Sequence, residues 1–236
     1  MASALARGLG EPVLVADPRR DRAERLAEEL GGEAVASNSE LAERADAVVL
    51  CHKPPQLDEV AAEIRDRANV VVSILGGTSI AAVEAAYPGT PVYRVMPNVA
   101  AEARRGVFCW ASGSCEGPEA ELKALFERAG VVIALPDPLI EPATALMGCG
   151  PAFFALVVEA MTDAGVRKGL EPAVAARMTV ETMAGTAALL ADEPLETARL
   201  RRRVTSPGGS TARGAAALER GGVRAAFADA VEAVVA

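Results

Sequence analysis

The sequence predicts an α/β domain built on a doubly wound parallel sheet, followed by an all-α domain. Up to about residue 135, short apolar runs alternate with amphipathic stretches, a pattern typical of strands and helices that cover both faces of a parallel sheet. After Pro136-Asp137-Pro138 the strand-like runs stop, and long alanine-rich stretches with helical spacing follow. Because 51% of the 236 residues are hydrophobic and are spread along the chain, a sizeable core can form.

The first part opens with a helical stretch at Met1 to Leu9 and a β-α unit, in which Gly31-Gly32 ends the helix. The β-branched and apolar runs predict strands at Pro12 to Ala16, Ala47 to Cys51, Val70 to Leu75 and Pro91 to Met96. Helical spacing predicts helices at Arg19 to Leu30, Gln56 to Arg67 and Ser79 to Tyr87. Two further strands, Val107 to Ala111 and Val131 to Leu135, flank a helix at Pro118 to Ala129; their orientation, parallel or antiparallel, stays open.

The second part consists of five predicted helices, at Ala152 to Lys168, Ala173 to Ala191, Leu195 to Val204, Ser210 to Arg220 and Val223 to Val235. We therefore divide the chain into domains 1–137 and 138–236. The helices carry few polar residues to face water, which favours burial of part of their surface against another chain. A homodimer is the simplest hypothesis.

Charge and composition exclude several classes of protein. A net charge of -8 argues against a general nucleic-acid binder, which needs a basic face. We expect no membrane span, because no uncharged apolar stretch approaches roughly 18 to 20 residues, and no signal peptide, so the chain is predicted to be cytoplasmic. The four cysteines are scattered and His52 is the one histidine, so no metal site is expected. Cys149 is interpreted as a small packed residue, because no histidine is placed to activate it.

Three predicted strands end in residues that suit a ligand crevice. Ligands of doubly wound sheets bind beyond the carboxyl ends of the strands, where this sequence has Lys53-Pro54, Gly76-Gly77 and Asn98. The glycines allow close approach of the backbone, Lys53 supplies positive charge, and Asn98 can donate and accept hydrogen bonds. Each could be an ordinary turn, but the three together favour a nucleotide crevice.

The end of the first strand leaves the choice of dinucleotide open. Asp17 would suit the ribose hydroxyl of NAD, whereas Arg19 and Arg20, with Asn38 in the following loop, would neutralise the 2′-phosphate of NADP. A solvated turn explains these residues nearly as well. The Gly-x-Gly-x-x-Gly fingerprint is not found before the first helix, and with it a central strand and the main pyrophosphate cradle are missing. We therefore expect this chain to bind a dinucleotide weakly.

A glycine-rich turn at 205–211 precedes a predicted helix in the second part. Backbone N–H groups and hydroxyls at a helix N-terminus form a receptor for a small anion such as a carboxylate. The alternative is a capped interhelical turn with Ser210 as the N-cap.

Several motifs together resemble the pyrroline-5-carboxylate reductase family. They are Lys53-Pro54, Val-Met-Pro-Asn at 95–98, Gly-x-Gly-Pro-Ala at 148–152, Asp-Ala-Gly-Val-Arg-Lys-Gly-Leu at 163–170 and Val-Thr-Ser-Pro-Gly-Gly-Ser-Thr at 204–211. The resemblance covers the chain in order, and the last motif is highly specific. It implies a Rossmann-type N-terminal domain, lacking its first strand and glycine loop here, and an all-α C-terminal dimerisation domain. The implied reaction is reduction of Δ1-pyrroline-5-carboxylate to L-proline by NADPH or NADH.

The resemblance also assigns site residues. Thr211 would donate a hydrogen bond or proton towards the ring nitrogen of the imino acid. The substrate would be held by Ser206, Gly208, Gly209, Ser210 and Thr211, and the cofactor by Asn38, Lys53, Pro54, Gly76, Gly77 and Asn98. The assembly would be a homodimer or a higher oligomer.

Departures from the family pattern leave two alternatives open. Cys149 replaces the usual serine, Phe153 the usual tyrosine, Val99 the common threonine, and Leu75-Gly76-Gly77 stands for Ala-Ala-Gly. The chain could therefore be a paralogous reductase of another imine. It could also be a non-catalytic, regulatory dimer that has lost the cofactor loop.

Overall fold

The computed structural model describes residues 1–192 and 196–235 and forms two compact units, Met1–Pro151 and Ala152–Ala236. Leu195, at the start of one predicted helix, and Ala236 lie outside the described residues. The sequence placed the domain division earlier, between residues 137 and 138. The intervening helix Ile140–Met147 belongs to the first unit because Ile140 is buried with Met96, Cys109 and Ala111 of the sheet.

The first unit contains two sheets. Within the described residues the strands are β1 (Leu14–Val15), β2 (Glu33–Ala34), β3 (Val48–Leu50), β4 (Val71–Ser73), β5 (Val92–Met96), β6 (Gly106–Ser112) and β7 (Gly130–Ala134). The larger sheet has the order β3-β4-β5-β6-β7, and β1 pairs with β2 in a separate parallel ladder. The parallel sheet is confirmed for β3, β4 and β5. Of the two strands left open, β6 is antiparallel to β5, and β7 is parallel to β6.

Helices cover the larger sheet on both faces, which explains its near-continuous apolar strands. In this unit they are α1 (Ala2–Leu9), α2 (Arg20–Leu30), α3 (Asn38–Arg44), α4 (Leu57–Ile64), α5 (Ile80–Ala86), α6 (Glu119–Glu127) and α7 (Ile140–Met147). On β4, Val71 joins the cluster under α3, α4 and α5, while Val72 joins the cluster under α1 and α6. Successive strand residues point to opposite faces, so each face receives its own core.

A cavity of about 880 Å³ lies between β1 of the smaller sheet and β3 of the larger sheet. Its walls include Val15 at the end of β1, all of β3, and residues of α1, α2 and α4. Among the described residues, β1 and β2 form no ladder with the other strands.

Two helices of this unit were not predicted. Helix α3 begins after Ser37, whose hydroxyl accepts the backbone N–H of Glu40, while the Glu40 carboxylate accepts that of Ala36. The Ser-x-x-Glu spacing is a capping signal that sequence reasoning overlooked. Helix α7 lies in the segment assigned to the domain division.

The second unit is all-α, as predicted. Its described helices are α8 (Gly150–Val166, beginning in the first unit), α9 (Pro172–Asp192), α10 (Thr197–Arg203), α11 (Ser210–Arg220) and α12 (Val223–Val235). Of the residues described in this unit, Ala175 and Thr179 alone are buried. Large apolar side chains are exposed instead, among them Phe154, Leu156, Met161, Met178 and Leu218.

One expectation about apolar stretches is wrong. The segment 137–166 is long and apolar enough, by length and composition alone, to cross a membrane. The structure divides it into a 3-10 helix (Asp137–Leu139), α7 and α8, with Gly148 and Cys149 between the two α-helices. Its first half is anchored on the sheet through Ile140.

Candidate functional site

The carboxyl end of β3 forms one wall of the cavity. After Leu50 the chain continues through His52 and Lys53 into a 3-10 helix (Pro54–Gln56). The Lys53 N–H donates to Oε1 of Gln56 at 3.2 Å. Nδ1 of His52 lies 3.0 Å from the Lys53 carbonyl oxygen, while its Nε2 is buried with no partner among the described residues. A donor arriving from the cavity would satisfy that nitrogen.

Asn38, the first residue of α3, and Lys53, in the loop after β3, both line the cavity. The Asn38 amide donates to Oε2 of Glu63 at 2.9 Å, which ties α3 to α4. Of the predicted cofactor residues, Pro54, Gly76, Gly77 and Asn98 are not among those lining this cavity.

Of the three charged residues at the end of β1, Asp17 lines the cavity, whereas Arg19 and Arg20 do not. The Asp17 carboxylate lines the cavity and accepts the backbone N–H of Arg19 at 2.7 Å. Arg19 pairs with Asp21, and Arg20 pairs with Glu24, whose hydrogen bond raises the Arg20 pKa. Other cations, Arg22, Arg25 and Lys53, line the cavity.

A surface ion pair closes the α1 side of the same cavity. Arg7 donates to Glu29 at 2.6 Å and to Glu102 at 2.9 Å, and the bond from Arg7 lowers the pKa of Glu29. Arg7 and Glu29 both line the cavity. The pair joins α1 to α2.

The loop after β4 presents open backbone. An ideal Cβ at Gly76 or Gly77 would meet no atom within 4 Å, so a ligand can approach the main chain there. Gly77 has φ near 70°, a conformation that only glycine adopts without strain. Its N–H donates to Oε1 of Glu141 at 3.1 Å.

Asn98 is committed to holding the fold together. Its amide nitrogen donates to the Met147 carbonyl at 2.9 Å, and its oxygen accepts the Val107 N–H at 3.2 Å. Both polar atoms of this buried side chain are therefore engaged within the protein. If Asn98 contacts the cofactor as predicted, its backbone would make the contact.

The glycine-rich turn of the second unit begins α11 without a side-chain cap. Gly209, and not Ser210, is the N-cap, and its N–H donates to the Ser206 carbonyl at 3.0 Å. Gly208 has φ near 68°, and its carbonyl accepts a 2.7 Å hydrogen bond from Arg213. A Cβ at Gly209 would lie 2.4 Å from Oγ of Ser206, so a larger residue there would displace the Ser206 hydroxyl. The hydroxyl-bearing residues Ser206, Ser210 and Thr211 are exposed beside this helix start.

Sequence reasoning missed one charged group in the first unit. Arg94 lies within β5, is buried, and pairs with Asp137 and Glu141. An arginine inside an otherwise apolar strand was the available signal, because a buried charge requires a partner. No cluster of His, Cys, Asp and Glu among the described residues could hold a metal ion.

The first unit combines a largely parallel sheet, a cavity and an open glycine loop at strand ends, and a helical unit follows it in the chain. The family matches assign a chain of this kind to the NADP-dependent oxidoreductases. Residues 137–236 match the family described as pyrroline-5-carboxylate reductase dimerisation, and residues 1–77 match the family of coenzyme F420-dependent NADP oxidoreductases.

Relatives extend the match to most of the chain. The pyrroline-5-carboxylate reductase of Synechocystis is 35% identical over 227 residues, covering 94% of this chain and 85% of its own. That of Mycobacterium tuberculosis is 38% identical over 250 residues, covering 94% and 84%. This chain belongs to the pyrroline-5-carboxylate reductase family.

Solved structures show the same fold. The pyrroline carboxylate reductase of Plasmodium falciparum, solved with NADP bound, aligns with a TM-score of 0.87 at 26% identity, covering 99% of this chain and 91% of its own. The enzyme of Coxiella burnetii aligns with a TM-score of 0.89 at 28% identity, covering 99% and 92%.

Proposed function

We propose that this protein reduces Δ1-pyrroline-5-carboxylate to L-proline with NADPH or NADH. The observation that carries the proposal is the turn at 205–211, an uncapped helix start surrounded by hydroxyls, in a chain of this family. Backbone N–H groups at such a start favour a carboxylate, which the proposed substrate carries.

Ser206, Gly208, Gly209 and Ser210 are proposed to hold the substrate carboxylate. The uncapped start of α11 supplies N–H donors, and the Ser206 and Ser210 hydroxyls add two more. The Gly209 N–H donates to the Ser206 carbonyl and closes the turn, and the absence of a side chain at Gly209 leaves room for the Ser206 hydroxyl. The cyclic substrate is thereby fixed by its carboxylate, which orients its C=N bond.

The reaction adds a hydride to the imine carbon and a proton to the imine nitrogen, which converts C=N to CH–NH. NADPH or NADH, when bound, supplies the hydride. Thr211 is proposed to donate a hydrogen bond or the proton to the nitrogen as it gains electron density. Because an imine is already electrophilic, orientation is the main contribution of the protein.

The cofactor is proposed to lie against Asn38, Lys53, Pro54, Gly76, Gly77 and Asn98. Three observations support a fit. Lys53 and Asn38 both line the cavity, the backbone at Gly76 and Gly77 is open, and the buried Nε2 of His52 has no hydrogen-bond partner among the described residues.

We propose that the protein forms a homodimer or a higher oligomer. The proposed domains are residues 1–137, for the cofactor, and residues 138–236, for dimerisation and the substrate. The dimerisation family match and the exposed apolar side chains of the second unit support the oligomer. A second copy, rather than a membrane, would cover α8 and α9. We also propose that the protein works in the cytoplasm without a nucleic-acid partner, which the four unpaired cysteines and the net charge of -8 favour.

The decisive experiment combines the purified protein with pyrroline-5-carboxylate and NADPH. We expect the NADPH absorbance to fall and L-proline to appear by chromatography in equal amounts. Reactions without the imine or with boiled protein are the controls. Consumption of NADPH without proline would contradict the proposed substrate, and no turnover under any of these conditions would favour a non-catalytic relative.

A further inference from the structure

Arg94 places a positive charge inside the larger sheet. It lies on β5 between Ser73 of β4 and Ala111 of β6 in register, and it is 2% exposed. A guanidinium at this depth requires anionic partners, because water cannot compensate its charge. The burial of Arg94 therefore indicates that carboxylates lie next to its guanidinium.

Two carboxylates from the segment after β7 meet this guanidinium. Nη1 of Arg94 donates to Oδ1 of Asp137 at 2.9 Å, and Nη2 donates to Oε1 of Glu141. Asp137 begins the 3-10 helix and Glu141 lies in the first turn of α7. Arg94 thereby fixes both carboxylates at the sheet.

Each carboxylate also accepts a backbone N–H from the loop that follows β4. The Glu141 oxygen that meets Arg94 accepts the Gly77 N–H at 3.1 Å. The Asp137 carboxylate accepts the N–H of Ile80, the first residue of α5, at 3.3 Å. One buried cation thus restrains the glycine loop at two points, on either side of Thr78.

We propose that Arg94, Asp137 and Glu141 are positioning residues that hold the Gly76–Ile80 loop in the shape that receives the dinucleotide. The inference rests on the proposed function for the identity of that ligand. Gly77 has a positive φ and open surroundings, so its own packing does little to fix the loop. A restrained loop loses less conformational entropy on binding, so the restraint lowers Kd for the cofactor.

Glu141 gives the cleanest test, because its carboxylate is about half exposed and its loss leaves Asp137 on Arg94. We expect Glu141→Ala to accelerate hydrogen exchange of the Gly77 amide and to raise Kd for NADPH by about 3- to 10-fold, the net worth of one hydrogen bond. KM for NADPH should rise similarly, with kcat nearly unchanged because no reacting group is altered.

Glu84→Ala is the matched control. The Glu84 carboxylate also accepts a backbone N–H, that of Ser114, but outside the glycine loop. Its removal should leave Gly77 exchange and the NADPH Kd unchanged.

Two outcomes would overturn the inference: unchanged exchange at Gly77 in Glu141→Ala, or faster exchange with an unchanged Kd. If Glu141→Ala unfolds, seen as faster exchange throughout the sheet, Glu141→Gln decides. It keeps an oxygen for Gly77 but removes the charge that meets Arg94, and it must show the same two effects in weaker form. Exchange and NADPH binding are measured without the imine, so failure to reduce pyrroline-5-carboxylate would refute the proposed function and leave this test intact.

Discussion

The side-chain amide of Asn98 donates to the carbonyl oxygen of Met147 at 2.9 Å, which joins the end of β5 to the last residue of α7. Its oxygen also accepts the Val107 N–H. A single asparagine therefore links three elements of the first unit.

Asn98→Ala should destabilise this unit by about 2 to 4 kcal/mol, because two backbone groups lose their partner. Urea unfolding followed by the fluorescence of Trp110, the one tryptophan of the chain, measures the effect in this unit. Asn38→Ala, which removes one hydrogen bond to Glu63, is the control and should cost about 1 kcal/mol or less. An equal fall in the free energy of unfolding in the two variants would show that the two hydrogen bonds of Asn98 stabilise the unit no more than the single one of Asn38.

Tyr87→Phe should leave stability at pH 8 unchanged or raise it by up to about 2 kcal/mol. The phenol is fully buried and its oxygen has no partner among the described residues, so removing it relieves an uncompensated polar group. The same urea titration measures the change. A clear loss of stability would indicate an unseen partner, such as a water molecule.

The same substitution should flatten the alkaline side of the stability profile. Burial, with a smaller contribution from Glu63, raises the pKa of Tyr87 to about 12 from its ordinary value of 10. The folded state therefore holds the proton more tightly, and this stabilisation is present in full below about pH 10 and is lost as the pH rises through 12. Between pH 8 and pH 11 the parent should lose more stability than Tyr87→Phe, and parallel profiles would contradict the assignment.

Thr211→Val keeps the shape of the side chain but removes the hydroxyl proposed to face the imine nitrogen. We expect kcat/KM to fall by roughly 10- to 1000-fold, since a donor to developing charge is lost, with the NADPH Kd nearly unchanged. Thr211→Ser, which keeps the hydroxyl, should retain most activity. Steady-state NADPH oxidation provides the measurement, and a Val variant within twofold of the parent would assign Thr211 a structural role only.

The protein should be a dimer or a larger oligomer at micromolar concentration, because the second unit exposes Phe154, Leu156 and Met178. Size-exclusion chromatography with light scattering gives the mass directly. The same preparation should not float with phospholipid vesicles in a density gradient. A monomer, or flotation with vesicles, would contradict the proposal that a second copy covers these helices.

The sequence predicted regular elements well where one local signal decides them. Helices α11 and α12 have the predicted bounds because Gly221 and Gly222 separate two periodic stretches. Strand β2 is only two residues long, Glu33 and Ala34, and has no apolar run to announce it. The predicted Gly-rich turn is present, but its N-cap is Gly209 because the cap depends on backbone angles that composition does not fix.

The part of the site that could not be predicted depends on contacts between distant residues. Arg94 is 43 residues from Asp137 and 47 from Glu141, and no periodicity connects them. Asn98 looked like a ligand-binding side chain because it follows a strand, yet its partner Met147 lies 49 residues away. Tertiary packing decides such pairs.

Among the residues described in the second unit only Ala175 and Thr179 are buried, so the proposed association with a second copy would have to supply most of its stability. Its folding then becomes a second-order process, in which yield rises with the concentration of newly made chains. At a low rate of synthesis, each chain would spend longer with its apolar helices exposed to solvent and would depend on chaperones to escape proteolysis. Cellular supply of this enzyme would therefore respond more steeply than linearly to its rate of synthesis.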